Sequence, residues 1–183
     1  MSDNFSEVNQ DFSEQNLIGQ GYFFNPSCGN LKIKEVIDEI FSYIKEKPEK
    51  FYDIIVGCDS SSGESPNFPL AIVILRVGEG GRFFLKKISY DNRKFFNWKT
   101  RILEEVFLSC QLALFLREQL DKTIKDDLTP LNYQFRYIHA DVGENGSTKD
   151  MIKEVVGLIR GNGFEPRIKP ESYAASSVAD RYS

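Results

Sequence analysis

The sequence is poor in the residues that build disulfide frameworks and zinc sites. Its 183 residues include one histidine and three cysteines, Cys28, Cys58 and Cys110. A scattered, odd set of cysteines without a C-x-x-C pair predicts neither a disulfide scaffold nor a structural zinc site. Thiols used in this way are typical of a reducing compartment, so we expect a cytoplasmic protein.

Long apolar runs are also missing. No stretch approaches the roughly 20 apolar residues that a membrane-spanning helix needs. The N-terminal residues Met1-Ser2-Asp3-Asn4 do not start a basic region followed by an apolar one, which is the pattern of a secretory signal. We therefore expect no membrane partner.

An excess of basic residues is absent as well. The net charge is −4, and residues 1–20 carry all of it, since they hold four acids and no lysine or arginine. Nucleic-acid-binding domains often have a strong basic excess, so this balance counts against a nuclease. We predict a disordered acidic tail over residues 1–20 and one domain over residues 21–183, with the oligomeric state left open.

Alternating helical and strand patterns fill the predicted domain. Their order is helix, three strands, then helix and strand in alternation, which predicts an α/β fold with a mixed five-stranded sheet flanked by helices. Asn30 is the predicted cap of the first helix. The predicted helices cover residues 31–45, 98–120, 147–160 and 172 or 173 to the C-terminus, and the predicted strands cover 53–59, 70–77, 82–90, 133–141 and 164–169.

Two aspartates end predicted strands. Asp59 follows an apolar run, and Asp141 follows another. Ligands of open α/β sheets bind beyond the carboxyl ends of strands, and an acid placed there loses hydration unless it binds a cation or faces water. Either aspartate alone is equally well explained as a solvated turn residue. Two such aspartates on two strands favour a ligand-binding site.

Further carboxylates lie on two predicted helices. Glu104 and Glu105 interrupt the apolar face of the long helix, and Asp180 lies in the last one. Alone, each glutamate fits a solvated or dipole-stabilising position, and Asp180 fits a surface pair with Arg181. Brought together, such acids repel one another unless cations neutralise them, and oxygen ligands select Mg²⁺ or Mn²⁺. Two such ions can hydrolyse a phosphodiester.

His139 and the loop of residues 143–149 lie next to the predicted site, and each also fits a structural role. His139 shares a strand face with Asp141, as a proton shuttle or a supporting group, although a structural histidine is equally well supported. Residues 143–149 are rich in glycine but lack the spacing of a phosphate-binding loop, so we predict no nucleotide cofactor.

Basic and aromatic residues alternate between residues 82 and 101, where seven cations accompany one acid, Asp91. Basic groups contact phosphates, and aromatic rings stack on bases. The alternative is a solvated strand followed by a connector whose aromatic residues fill the core. The candidates for nucleic-acid contact are Lys94, Trp98, Lys99 and Arg101.

Three segments carry a resemblance to a known family: Ile55-Val56-Gly57-Cys58-Asp59-Ser60, His139-Ala140-Asp141-Val142-Gly143 and Lys169-Pro170-Glu171-Ser172-Tyr173-Ala174-Ala175-Ser176. They resemble the YkuK family, small bacterial proteins of the ribonuclease H-like superfamily. The resemblance covers residues 22–183 and implies a ribonuclease H-like fold with metal-dependent phosphodiester hydrolysis. It implies that Asp59, Glu104 and Asp141 hold Mg²⁺ or Mn²⁺, completed by Asp180, and it favours Glu104 over Glu105 as the inward residue.

Three functions remain from the sequence. The first is a metal-dependent nuclease, or nuclease-like protein, that acts on RNA, DNA or their hybrid. The second is a non-catalytic ribonuclease H-like module that binds nucleic acid or a protein partner. The third is a phosphotransferase, which ranks last because one domain of this length lacks the second lobe that encloses ATP in actin-like kinases.

Overall fold

A mixed sheet runs through the molecule, and it has seven strands within the part of the chain that the structure describes. The computed structural model describes residues 17–126, 130–174 and 177, and Asp180 lies outside them. In chain order the elements are β1 Phe23–Asn25, β2 Gly29–Leu31, α1 Ile33–Lys45, β3 Tyr52–Cys58, β4 Phe68–Arg76, β5 Gly80–Ile88, α2 Trp98–Asp126, β6 Tyr133–His139, a 3-10 turn Lys149–Met151, α3 Ile152–Gly161 and β7 Glu165–Arg167.

The strands lie in the order β2-β1-β5-β4-β3-β6-β7. Strands β3, β4 and β5 form an antiparallel meander, whereas β6 and β7 join β3 in parallel. Gly57 of β3 lies opposite His139 of β6, so both strands end at the same edge of the sheet. This register places Asp59 and Asp141 beyond that edge, which is where open α/β sheets bind ligands.

The predicted number of strands is wrong, because the sheet has seven strands and not five. The five predicted strands are present, and a hairpin of β1 and β2 extends the sheet next to β5. Each extra strand has three residues, too few for a periodic signal. The Asn25 side chain shapes the connecting turn by accepting hydrogen bonds from the N–H groups of Ser27 and Cys28.

Helix α1 begins later than predicted. Asn30 lies in β2, so it does not cap the helix. The first turn is held instead by Glu35, whose carboxylate accepts a 2.7 Å hydrogen bond from the N–H group of Lys32. A carboxylate in this position also interacts favourably with the helix dipole.

The two faces of the sheet are covered differently. Apolar side chains of α1, α2 and α3 pack with those of β3 and β4 in one large core on the first face. The second face has a smaller cluster around Ile55, Val73 and Leu85, which Ala174 covers. The N–H group of Ser177 donates to the carbonyl of Tyr173, as expected for the start of the predicted final helix, whose remainder lies outside the described residues.

Three remaining features of the fold concern the first described residues, the end of α2 and helices that could span a membrane. Residues 17–20, assigned to the tail, form a turn in which Ile18 is buried and its carbonyl accepts a 2.8 Å hydrogen bond from Lys86. Helix α2 continues to Asp126, beyond the predicted end at residue 120. No helix in the described ranges is long and apolar enough to span a membrane.

Candidate functional site

The two strand-end aspartates are fixed by backbone hydrogen bonds on either side of them. The N–H group of Asp59 donates to the carbonyl of Pro69 across β3 and β4, and the Asp59 carboxylate accepts a 2.9 Å bond from the N–H group of Ser60. Next to Asp141, the N–H group of Ala140 donates to the carbonyl of Arg167. Both aspartates are half-buried, so they line the sheet edge and remain partly accessible to solvent.

Glu105 of α2 completes this group of acids. Its side chain is buried and accepts a hydrogen bond from the Ser60 hydroxyl. Burial is the main reason that the pKa of Glu105 rises to about 8, and the charges of Asp59 and Asp141 add to the rise against the opposing effects of Ser60 and Arg101. Glu105 is therefore protonated near neutral pH unless a cation is present.

Glu104 points elsewhere although it is equally buried. One carboxylate oxygen accepts a hydrogen bond from the Tyr90 hydroxyl, and the other lies 2.8 Å from a guanidinium nitrogen of Arg93. These contacts differ from the prediction that Glu104 rather than Glu105 faces Asp59 and Asp141, because Glu105 is the glutamate whose pKa those two aspartates raise. Adjacent helical residues project about 100° apart, and Glu104 is turned toward the connection between β5 and α2. Metal binding by either glutamate stays a prediction.

The buried thiol of Cys58, at the end of β3, lies close to both glutamates. Burial raises its pKa, and the carboxylates of Glu105, Asp59 and Glu104 raise it further. Glu104 is therefore also near the end of β3, although its hydrogen bond and its ion pair are with Tyr90 and Arg93.

Lys169 is a neighbour of Asp141 that was not among the predicted site residues. Its ammonium lies 2.9 Å from a carboxylate oxygen of Asp141, and its backbone N–H group donates to the carbonyl of Val142. A side chain at position 143 would start 2.9 Å from the Cβ atom of Lys169, so Gly143 permits this close approach. The only sequence signal for Lys169 was its place in a segment that resembles the family.

The donor chemistry of this group suits a hard divalent cation. Asp59, Glu105 and Asp141 offer carboxylate oxygens, and a carboxyl group with a raised pKa beside two like charges is one that a cation would stabilise. Within residues 17–126, 130–174 and 177, however, no three histidine, cysteine, aspartate or glutamate side chains form a group that could hold a metal ion. The cation that contacts Asp141 is the Lys169 ammonium.

His139 is buried and fastens the C-terminal segment. Its Nδ1 atom accepts hydrogen bonds from the N–H groups of Tyr173, at 3.0 Å, and Ala174, at 3.2 Å. Burial, with a smaller effect of Arg167, lowers the pKa of His139 to about 4, so the ring is neutral near pH 7. These contacts favour the structural alternative, and a proton-shuttle role stays a prediction.

The basic stretch of residues 82–101 is not one continuous basic surface. Arg82 pairs with Glu39 of α1 and with Glu46 just after it. Lys86 donates to backbone carbonyls near residue 18, and Arg93 pairs with Glu104. Three of the seven cations are therefore already engaged.

The four residues predicted to contact nucleic acid differ in their exposure. Lys94 and Lys99 are exposed, Trp98 is partly buried against the core, and Arg101 is half-buried with its Nε atom lacking a hydrogen-bond partner. The prominent exposed ring of this stretch is that of Phe96.

Comparisons with known proteins identify the family to which this chain belongs. The ribonuclease H-like family matches residues 35–183, and the chain belongs to that family. Within it, the chain is 29% identical over 166 residues to "Uncharacterized protein YkuK" of Bacillus subtilis (strain 168), covering 88% of this chain and 96% of that relative. The resemblance to the YkuK family is confirmed. No solved structure matches significantly.

Family membership sets the coarse conclusions. The α/β, ribonuclease H-like fold class is confirmed, apart from the strand count. Membership supports a nuclease-like or nucleic-acid-binding module.

Proposed function

We propose that this protein is a divalent-cation-dependent hydrolase of nucleic-acid phosphodiesters, in which Asp59, Glu105 and Asp141 come together as ligands only when the cation binds, since the described residues form no such group without it. The observation that carries the proposal is the buried carboxyl group of Glu105 at the strand ends that bear Asp59 and Asp141. A buried, electrostatically perturbed acid among like charges is more typical of a functional site than of a stabilising core.

The contrast with Glu104 supports this interpretation. Both glutamates are buried in the first turns of α2. Glu104 has Arg93 and Tyr90 as partners, so its burial is compensated. Glu105 accepts a hydrogen bond from the neutral hydroxyl of Ser60, and its repulsion by two aspartates outweighs its attraction to Arg101. Such an arrangement lowers stability unless a cation joins it, which is a common feature of sites maintained for function.

The residues around the proposed cation site have distinct proposed roles. A bound Mg²⁺ or Mn²⁺ would polarise the phosphodiester and promote ionisation of a water molecule. Ser60 orients the Glu105 carboxyl group through its hydroxyl, and Lys169 neutralises Asp141 while leaving part of its ammonium accessible to a substrate phosphate. Asp180 remains a proposed fourth ligand that lies outside the described residues.

Cleavage assays test the proposal directly. Labelled RNA, DNA and hybrid oligonucleotides are incubated with the parent protein in Mg²⁺, Mn²⁺ or EDTA. We expect cation-dependent cleavage that falls at least about 100-fold in Asp59→Asn and Asp141→Asn, since each removes a charged ligand. Asp150→Asn, at an exposed acid of the 3-10 turn, is the matched control and should cleave like the parent. Cation-independent cleavage, or equal activity in all four proteins, contradicts the proposal.

The non-catalytic module is the second candidate. The ion pair between Lys169 and Asp141 and the raised pKa of Glu105 together let the site exist without a metal ion, because they remove two of its three negative charges. Binding of nucleic acid with unchanged affinity in EDTA and in Mg²⁺, and with no cleavage of any substrate, would support this candidate over the hydrolase.

A further inference from the structure

The connection between β5 and α2 presents one aromatic ring to solvent. Phe96 is 78% exposed, the highest value among the large hydrophobic side chains that the structure describes, whereas its neighbour Phe95 is 4% exposed. A single exposed apolar residue is unremarkable on a protein surface. The surroundings of Phe96 are what make it distinctive.

The segment that carries Phe96 is held firmly. The Phe95 ring packs 5.0 Å from the Phe68 ring, and its N–H group donates a 2.8 Å hydrogen bond to the carbonyl of Glu64. Arg93 lies over the Phe95 ring and pairs with Glu104 on α2. The exposed ring is therefore attached to a fixed base, so a ligand that stacks on it loses little protein entropy.

Two lysines flank the ring. Lys94 contacts the neutral hydroxyl of Ser65, and Lys99 lies 5.6 Å from the centre of the Trp98 ring. In the part of the chain that the structure describes, neither lysine has a carboxylate partner, and residues 92–103 contain no acid. Exposed cations beside an exposed ring match a polynucleotide, whose phosphates and bases alternate.

The segment that carries Phe96 packs next to the strand end that bears Asp59. The Phe95 ring contacts the ring of Phe68 in β4, and the next residue, Pro69, accepts the hydrogen bond from the N–H group of Asp59. A strand bound at Phe96 would therefore lie on the side of the molecule that holds this carboxylate.

We propose that Phe96 stacks on an unpaired nucleobase while Lys94 and Lys99 bind its flanking phosphates, so that the substrate is single-stranded nucleic acid. This inference rests on the proposed function, because it names the substrate class of that site. Bases inside a duplex have both faces covered by their neighbours, so an isolated flat ring selects unpaired bases. RNA and DNA share this chemistry.

Fluorescence anisotropy in EDTA measures binding without cleavage. The probes are 20-nucleotide oligo-U RNA, 20-nucleotide oligo-dT and a blunt DNA hairpin of equal charge. We expect both single strands to bind more tightly than the hairpin. Phe96→Ala should weaken single-strand binding about 5- to 100-fold, the range for loss of one stacked base, and Phe96→Trp should bind like the parent. Phe107→Ala, at an exposed phenylalanine within α2, should leave affinity unchanged.

Salt dependence tests the two lysines separately. Lys94→Gln and Lys99→Gln should each reduce the slope of log K against log salt by about 0.7, the value for one single-strand phosphate contact. An unchanged slope removes the lysines from the proposed surface. A difference between the RNA and DNA probes would identify the preferred sugar.

Several outcomes overturn the inference. They are equal affinity of Phe96→Ala and the parent, hairpin binding as tight as single-strand binding, or no single-strand binding by the parent at low salt. The last result would leave a protein partner as the explanation of the exposed ring. Failure of the proposed hydrolase is distinguishable, because single-strand binding that depends on Phe96 would then persist while no cation-dependent cleavage occurs.

Discussion

Glu104 and Glu105 are adjacent on α2, yet their carboxyl groups have different chemical surroundings. Glu104 has a cationic partner and a phenol donor, and Glu105 has a hydroxyl donor and two aspartates that repel it. The exposed fractions of the two side chains are nearly equal. The two glutamates therefore differ in their partners and not in their burial. Glu104 joins α2 to the preceding connection, whereas Glu105 is a candidate metal ligand.

Replacing Glu105 should change how stability depends on pH. The pKa of Glu105 is about 8 in the folded protein and about 4.5 in the unfolded chain. As pH rises from 5 to 8 the unfolded chain releases this proton and the folded protein retains it, so the free energy of unfolding falls by up to about 1.4 kcal/mol per pH unit. Urea unfolding of Glu105→Gln in EDTA should lack that decline.

Glu104→Gln provides the control for this measurement. It should be less stable than the parent at every pH, since Arg93 loses its charged partner, but it should retain the decline between pH 5 and 8. A decline of the same size in the parent and in Glu105→Gln would show that Glu105 does not titrate in this range.

Asp141→Asn should lower the pKa of Glu105. The negative charge of Asp141 contributes to raising that pKa, and asparagine retains the shape of the side chain without the charge. The pH at which the decline in stability levels off should therefore move downward. We expect the metal-free stability near pH 7 to change by no more than about 1 kcal/mol, because relief of repulsion offsets the half-exposed pair with Lys169. The control variant Asp150→Asn should leave the pH profile unshifted. An unshifted profile in Asp141→Asn as well would show that the charge of Asp141 does not affect the pKa of Glu105.

At the scale of elements, His139 connects β6 to the segment that starts the final helix. Its Nδ1 atom accepts two backbone hydrogen bonds, which requires the neutral ring. Its pKa is about 4 in the folded protein and about 6.5 in the unfolded chain, so its contribution is present above pH 6.5 and is lost as pH falls toward 4.

Removing this acceptor should loosen one segment selectively. His139→Ala leaves the N–H groups of Tyr173 and Ala174 without their partner, at a cost of about 1–3 kcal/mol. Hydrogen exchange at residues 173 and 174 should accelerate, while exchange in β3 and β4 remains slow. Tyr173→Phe retains both backbone bonds and should exchange like the parent. Equal exchange rates in all three proteins would contradict this anchoring role.

The elements with strong periodicity were predictable, and the short ones were not. Apolar runs identified β3 and β4, and amphipathic spacing identified α1, because burial dictates those patterns. The hairpin of β1 and β2 depends on pairing with β5 and on a turn built by Asn25, which are contacts made at long range. Glu104 and Glu105 could not be distinguished because their partners come from distant segments.

Charge is distributed unequally between the two ends of the sheet when the whole molecule is considered. At the end opposite the strand-end aspartates, Arg76 and Arg82 both pair with Glu46, and Glu79 pairs with Lys47. Cations and acids are matched there, as expected of surface ion-pair networks. At the other end, Lys169 pairs with Asp141, and the attraction of Arg101 does not cancel the repulsion that raises the pKa of Glu105. The sequence predicted the location of this imbalance from Asp59 and Asp141, because strand ends follow from hydrophobic pattern, but not the contact of Lys169.

Cation-dependent stabilisation tests the central claim, that Asp59, Glu105 and Asp141 form one cation site. Thermal melts of the parent in EDTA and in millimolar Mn²⁺ should differ by several degrees, because a ligand at 100 times its Kd stabilises the folded state by about 2.7 kcal/mol. Glu105→Gln and Asp141→Asn should lose most of this shift, and Glu104→Gln and Asp150→Asn should retain it. Equal Mn²⁺ shifts in all five proteins, or a shift lost only in Glu104→Gln, would contradict the account.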